Sequence, residues 1–201
     1  MRFLPVNLDA LLVELNDLDE TLALFDALTA EPIAGVEEII PAARTLLIQF
    51  RPSAIARQAL VNRIADQDLS RRRAIEQRRV DIPVHYNGED LDEVATLLGI
   101  SRAEVVRRHT AHDYSVAFCG FAPGFAYLTG GAGFQVPRRQ TPRTRIPAGA
   151  VALAGEFSGV YPQASPGGWQ IIGVTPLQMW DLNRAESALL RCSPSETITL
   201  T

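Results

Sequence analysis

Residues 159–176 read G-V-Y-P-Q-A-S-P-G-G-W-Q-I-I-G-V-T-P, and they decide the fold of the half of the chain that contains them. Glycine and proline recur too often for a helix, since each breaks helical hydrogen bonding or costs backbone entropy. Gln170 to Val174 is a short apolar run that suits a strand, and Trp169 leads into it. Ser165-Pro166-Gly167-Gly168 reads as a tight turn with free N–H groups. The same punctuation extends upstream. Eleven of the chain's 14 glycines lie between Gly120 and Pro176, separating the apolar runs Tyr114 to Cys119 and Val151 to Ala154. Short strands spaced in this way predict a closed barrel or a sandwich.

Two further clusters share this segment. G-F-A-P-G-F-A-Y-L, Gly120 to Leu128, sets Phe121, Phe125 and Tyr127 between small residues, a pattern that can wall a pocket together with Trp169. P-R-R-Q-T-P-R-T-R-I-P-A-G, Pro137 to Gly149, carries Arg138, Arg139, Arg143 and Arg145 among prolines that stiffen the loop. With Glu156 as its one acid, Gly120 to Pro176 has a local balance of +3 in a chain of net charge −4. That imbalance points to a small anionic ligand or an acidic partner surface. The plainer reading is that the arginines pair with carboxylates elsewhere in the chain.

Upstream, the periodicity changes. Ala10 to Leu15 suits a strand, and Asp17 can cap a helix carrying Leu18, Leu22, Phe25 and Leu28. Glu37 to Ile40 and Thr45 to Phe50 read as strands, and Ser53 as the cap of a helix with Ile55, Leu60 and Ile64 inward. The order β-α-β-β-α is that of a ferredoxin-like layer. Ser70 to Arg79 is strongly basic, either a solvated helix end or linker, or a binding patch. A strand is expected over Val80 to Tyr86, then helices over Leu91 to Leu98 and Ser101 to His109, the second opened by the capping box of Ser101 and Glu104. The fold class is therefore α+β, with an N-terminal domain over residues 1–80 and a β-rich domain over residues 81–201.

Leu91 to His109 has the outline of a helix-turn-helix, with Arg102, Arg107 and Arg108 available for phosphates. A reader domain normally has a third helix, and the chain is acidic overall, so a helical pair packed on a barrel is the expected outcome. No nucleic-acid partner is expected.

The 201 residues contain no lysine, which rules out a Schiff-base lysine and a P-loop lysine within this chain. Bound anions must be held by arginine or backbone N–H groups. Cys119 and Cys192 read as two reduced thiols. Asn7, Asp9 and Glu14 interrupt any signal-peptide core, and no run approaches the roughly 18 apolar residues of a membrane span. A soluble cytoplasmic protein with no membrane partner is expected. His109, His112 and Asp113 have a spacing that could ligate a metal, but a surface turn is the favoured reading and no metal is predicted. Ser165 lacks the setting of a hydrolase nucleophile.

Taken together, these clusters resemble the PxpB family of 5-oxoprolinase components, also called KipI or allophanate hydrolase subunit 1. The resemblance rests on G-F-A-P-G-F-A-Y-L, P-R-R-Q-T-P-R-T-R-I-P-A-G-A-V-A-L-A-G and G-V-Y-P-Q-A-S-P-G-G-W-Q-I-I-G-V-T-P. It extends through H-Y-N-G-E-D-L-D-E-V-A, D-A-L-L-V-E-L and G-V-E-E-I-I-P. The chain departs from the pattern at Ala126, where family members often carry proline, in T-G-G-A-G after Leu128, and in lacking a G-D pair before its last strand.

The resemblance implies a C-terminal cyclophilin-like β-barrel and kinship with half of the carboxyltransferase region of urea carboxylase. It implies an ATP-dependent opening of 5-oxoproline to glutamate, shared with PxpC-like and PxpA-like subunits, with this chain inactive alone and ATP contacts shared with a partner. No biotin is predicted in the chain. On this reading Arg138, Arg139, Arg143, Ser165, Gly167 and Gly168 bind substrate or phosphate. Phe121, Phe125, Tyr127 and Trp169 wall the pocket, and His109 is the acid/base. One branch of the family implies the alternative of a non-catalytic module that inhibits a sensor histidine kinase.

Overall fold

A computed structural model describes residues 1–69, 78–131, 133–191 and 196–201. The chain divides into two compact units, Met1–Ile75 and Glu76–Thr201. Most of the basic stretch, residues 70–77, and Cys192 lie outside the described residues.

The first unit contains β1 (Arg2–Pro5), β2 (Ala10–Glu14), α1 (Leu18–Ala30), β3 (Val36–Pro41), β4 (Thr45–Phe50) and α2 (Arg57–Ala65). Its antiparallel sheet has the order β1-β2-β4-β3. Strand side chains alternate between faces, so Leu11 and Val13 of β2 and Leu46 and Ile48 of β4 point the same way. They meet Leu24 and Leu28 of α1 and Leu60 and Ile64 of α2 in one buried core. The Asp17 side chain caps α1 by accepting from the Glu20 N–H at 2.9 Å. Ser53 does not cap α2. Residues 52–55 form a turn, and the helix starts later, with Ala56 at its N-cap and no side-chain bond there. The N-terminal strand β1, which the periodicity did not indicate, occupies the sheet edge beside β2.

The second unit runs β5 (Arg78–Ile82), α3 (Leu91–Leu98), α4 (Arg102–Thr110), β6 (Asp113–Cys119), β7 (Ala126–Thr129), β8 (Arg143–Ile146), β9 (Ala150–Ala154), β10 (Phe157–Val160), β11 (Ser165–Gly167), β12 (Gln170–Val174) and β13 (Glu196–Leu200). Seven strands form one sheet, β12-β9-β10-β7-β6-β13-β5. The chain leaving β5 then meets the opposite edge. His85 and Val174 exchange backbone hydrogen bonds of 2.8 and 2.9 Å, and the Gly88 N–H donates to the Ile172 carbonyl at 3.1 Å. The curled sheet thus closes on itself and leaves no open edge on β12. Gly88 is required for this closure, because a Cβ there would overlap the carbonyl of Ile171.

The barrel strands are packed on two faces. Val151 and Leu153 of β9 join the interior with Ile82, Val116, Leu128, Ile172 and Ile198. Ala150, Ala152 and Ala154 of the same strand face outward, yet they too are buried, beneath an aromatic layer. The helical pair completes the interior with Leu91, Val94, Ala95 and Val105. Gly99 ends α3 with φ of 66°, and the Ser101 side chain caps α4 by accepting from the Glu104 N–H at 3.2 Å. The three arginines considered for phosphates have carboxylate partners: Arg102 pairs with Asp92, and Arg107 and Arg108 both pair with Glu104.

Candidate functional site: an arginine ribbon over a buried carboxylate

The arginine loop and the Ser-Pro-Gly-Gly segment form a single ribbon. Ser165–Gly167 is not a tight turn but the short strand β11, paired antiparallel with β8 so that Ser165 faces Ile146 and Gly167 faces Arg143. Gly168 belongs to the same junction, where its carbonyl accepts from the Arg139 N–H at 2.8 Å. A Cβ at Gly167 would strike the Tyr161 hydroxyl, so glycine is what allows the ribbon to lie on the aromatic layer.

Beneath the ribbon sits Asp90, at the N-cap of α3. Its side chain makes no capping bond and turns toward β12 and the arginines. It accepts from the Ile171 N–H at 2.7 Å, from Arg139 Nη1 at 2.5 Å, and from Arg143 Nη1 and Nη2 at 2.8 Å each. Burial works to raise the Asp90 carboxyl. The hydrogen bonds from Arg143 and Ile171 and the two guanidinium charges outweigh it and hold the group below the usual carboxylate range. Glu89 adds a bond from Arg143 Nη2 at 3.0 Å, and Glu93 lies 3.4 Å from Arg139 Nη1. Much of the local positive charge is thereby met by three acids that precede the segment. Arg138 and Arg145 are exposed and have no carboxylate partner among the described residues.

Sequence reasoning did not identify Asp90. The available signal was the acidic Glu89-Asp90 pair opposite a segment of excess positive charge. Tyr161 was also missed. Burial raises its phenol above the ordinary value, against a hydrogen bond from the Trp169 backbone and the nearby charges of Arg138 and Arg143.

The aromatic residues are brought together, but mostly as packing. Phe125 makes edge-to-face contacts with Tyr127, Tyr161 and Trp169 at centroid distances of 5.1 to 5.5 Å. Phe125 and Trp169 are buried, and Tyr127 stacks on Phe118 at 4.2 Å. Only Phe121 stands out, 60% exposed, with φ of 67° in the left-handed region that a bulky residue rarely adopts. Its ring leans edge-on against Phe125 and Tyr161.

His109 requires a correction. It is fully buried on α4. Its Nδ1 is 2.8 Å from the Tyr86 hydroxyl, its Nε2 is 2.9 Å from Ser158 Oγ, and its carbonyl accepts from the Tyr114 hydroxyl. Burial pushes its pKa down to about 3, so the ring is neutral. With both nitrogens engaged and no exposed surface, it acts here as a polar pin between α4 and the barrel strands. Among the described residues no group of His, Cys, Asp and Glu is placed to hold a metal ion, and no helix is long and apolar enough to cross a membrane.

Comparison with known proteins places this geometry in a family. The chain matches the carboxyltransferase domain, subdomain C and D, over residues 1–190. A Bacillus subtilis protein, the B subunit of 5-oxoprolinase, is 37% identical over 179 residues, which is 80% of this chain and 74% of that protein. The crystal structure of TTHA0988 superposes with a TM-score of 0.77 at 35% identity, covering 96% of this chain and 40% of that one. This chain therefore spans about two fifths of the length of that structural relative. Kluyveromyces lactis urea carboxylase shares the fold, with a TM-score of 0.74 at 17% identity over 99% of this chain and 21% of that one. The chain belongs to the PxpB family, whose members include the 5-oxoprolinase B subunits, and is an α+β protein built on the carboxyltransferase subdomain C and D fold.

Proposed function

We propose that the chain is one component of an ATP-dependent 5-oxoprolinase, which opens 5-oxoproline to glutamate together with PxpC-like and PxpA-like subunits. The lactam is a stabilised amide and resists direct attack by water. Transfer of the ATP γ-phosphoryl group to the lactam oxygen forms an activated imidate and releases ADP. Water then adds to that carbon and the ring C–N bond breaks, with its nitrogen taking up a proton, which leaves an acyl phosphate. A second water displaces the phosphate, so the products are glutamate, ADP and phosphate.

Each stage carries negative charge that fixed cations can stabilise. The observation that supports a role for this chain is the division of labour among its arginines. Arg143 and one arm of Arg139 are held by Asp90, which stiffens the ribbon. Arg138 and the unpartnered Nε of Arg139 are left to meet an anion. In this assignment Arg138 and Arg139 contact substrate or phosphate, Arg143 positions the ribbon, and Ser165, Gly167 and Gly168 shape it. The chain has no lysine, so the ATP phosphates are to be held largely by a partner subunit.

The test is reconstitution. Purified chain mixed with its PxpC-like and PxpA-like partners is expected to hydrolyse ATP in a manner dependent on 5-oxoproline. ATP hydrolysis that ignores 5-oxoproline would remove this reading.

A further inference from the structure

The outer side of the ribbon borders a recess of about 320 Å³. Glu93 and Leu97 of α3 form one side, Arg138, Arg139 and Thr141 the other, and Gln170 at the start of β12 lines it as well. Two buried polar atoms on these residues lack any hydrogen-bond partner. One is Gln170 Oε1, an acceptor on a side chain only 1% exposed, whose Nε2 donates to the Pro137 carbonyl at 3.4 Å. The other is Arg139 Nε, a donor whose neighbouring Nη1 is already held by Asp90. A buried polar atom left without a partner is costly, and such atoms are uncommon in folded proteins. Here an acceptor and a donor are left over on residues that share one recess. Arg138 adds a guanidinium with no carboxylate partner among the described residues.

Charge at the recess mouth is arranged for exchange. Glu93 is 54% exposed and only 3.4 Å from Arg139 Nη1, whereas Asp90 holds the same nitrogen at 2.5 Å and is almost fully covered. An exposed pair of that length contributes little, so Glu93 can yield as an incoming carboxylate approaches Arg139, without disturbing the Asp90 clamp.

We infer that this recess is a recognition subsite for a small molecule carrying a carboxylate beside an amide or lactam N–H. The carboxylate sits between Arg138 and Arg139 Nε, and the N–H donates to Gln170 Oε1. Gln170 is thereby the specificity-determining residue: a bare anion leaves its oxygen unmet, and an amide without a carboxylate leaves the arginines unmet. Naming that molecule as 5-oxoproline rests on the function proposed above.

The experiment titrates the full chain with 5-oxoproline, 2-pyrrolidone, acetate and inorganic phosphate, following the Gln170 side-chain amide and the Arg139 Nε–H by NMR. 5-Oxoproline is expected to shift both signals saturably. 2-Pyrrolidone and acetate, each lacking one half of the recognition, bind about tenfold or more weaker, the loss expected for one charge-assisted hydrogen bond. Arg138→Ala, an exposed change, weakens 5-oxoproline by a similar factor, and Glu93→Gln tightens it. Unmoved signals, or acetate or phosphate binding as tightly as 5-oxoproline, overturn the subsite. The reconstituted complex separates this inference from the function it rests on. Turnover of 5-oxoproline with an unchanged KM in both Arg138→Ala and Gln170→Met removes the recess and leaves the function. No turnover in the wild-type complex, with 5-oxoproline still bound through Gln170, removes the function and leaves the recess.

Discussion

Arg143 grips Asp90 through two parallel hydrogen bonds of 2.8 Å, joining the arginine ribbon to the N-terminus of α3 across 53 residues of sequence. The fork geometry matches guanidinium to carboxylate in a way that an ammonium group cannot. Removing one partner of such a covered pair strands the other charge. Asp90→Ala is expected to destabilise the second unit by about 3 kcal/mol, and Arg143→Lys by roughly 1–2 kcal/mol. Trp169 and Trp180 are the chain's two tryptophans and both lie in that unit, so tryptophan fluorescence during urea unfolding reports on it selectively. Changes within about 0.5 kcal/mol for both variants, the range of an ordinary surface substitution, would contradict the clamp.

His109 imposes a pH dependence whose sign follows from its burial. Its pKa falls to about 3 in the folded protein, against roughly 6.5 in an unfolded chain. Between those values the unfolded chain binds the extra proton, so stability is full above about pH 6.5 and declines as pH falls. The expected slope is about 1.4 kcal/mol per pH unit. Asp90, whose carboxyl is held below its ordinary value, adds its own loss only under about pH 4. Glu20 and Glu104, also held below the ordinary carboxylate range, add theirs below about pH 5, so the window from about pH 6.5 to 5.5 isolates the histidine. Unfolding free energies of His109→Gln should be flatter there than those of the native chain; parallel curves would show that the ring is not buried neutral.

The outward face of β9 predicts a packing effect. Ala152 lies opposite Gly159, and a Cβ on that glycine would meet the rings of Phe125 and Trp169. The small pair leaves room for the aromatic layer. Ala152→Leu should overfill it and cost about 1–3 kcal/mol, with an altered Trp169 emission spectrum. An unshifted melting temperature would mean that the layer has slack the structure does not show.

Which parts of this architecture could be read from sequence follows from the range of the interactions involved. The strands β2, β4, β6, β9 and β12 and the helices α1, α3 and α4 carry their own periodicity and caps, so local patterns located them. β7, β8, β10 and β11 are only three or four residues long and are flanked or interrupted by glycine or proline, so they exist because of pairing partners far along the chain. β1 was missed for a similar reason, since it is four residues ending at Pro5. The arginine cluster itself was legible; its pairing with Ser165–Gly167, which reads locally as a tight turn, was not. What could not be read was which guanidinium groups are already occupied. Asp90 looks like one more acid at a helix start until the fold brings Arg139 and Arg143 to it from 49 and 53 residues away. His109 shows the converse: helix spacing alone did not say that its face of α4 points into the barrel.

Omission of single components tests the functional account most directly. Glutamate formed from 5-oxoproline is measured in the complete mixture of this chain, its PxpC-like and PxpA-like partners and ATP, and again with each one left out. Glutamate should accumulate in the complete mixture and fall to background when this chain alone is missing. Equal glutamate production without the chain would contradict its assignment as a working subunit.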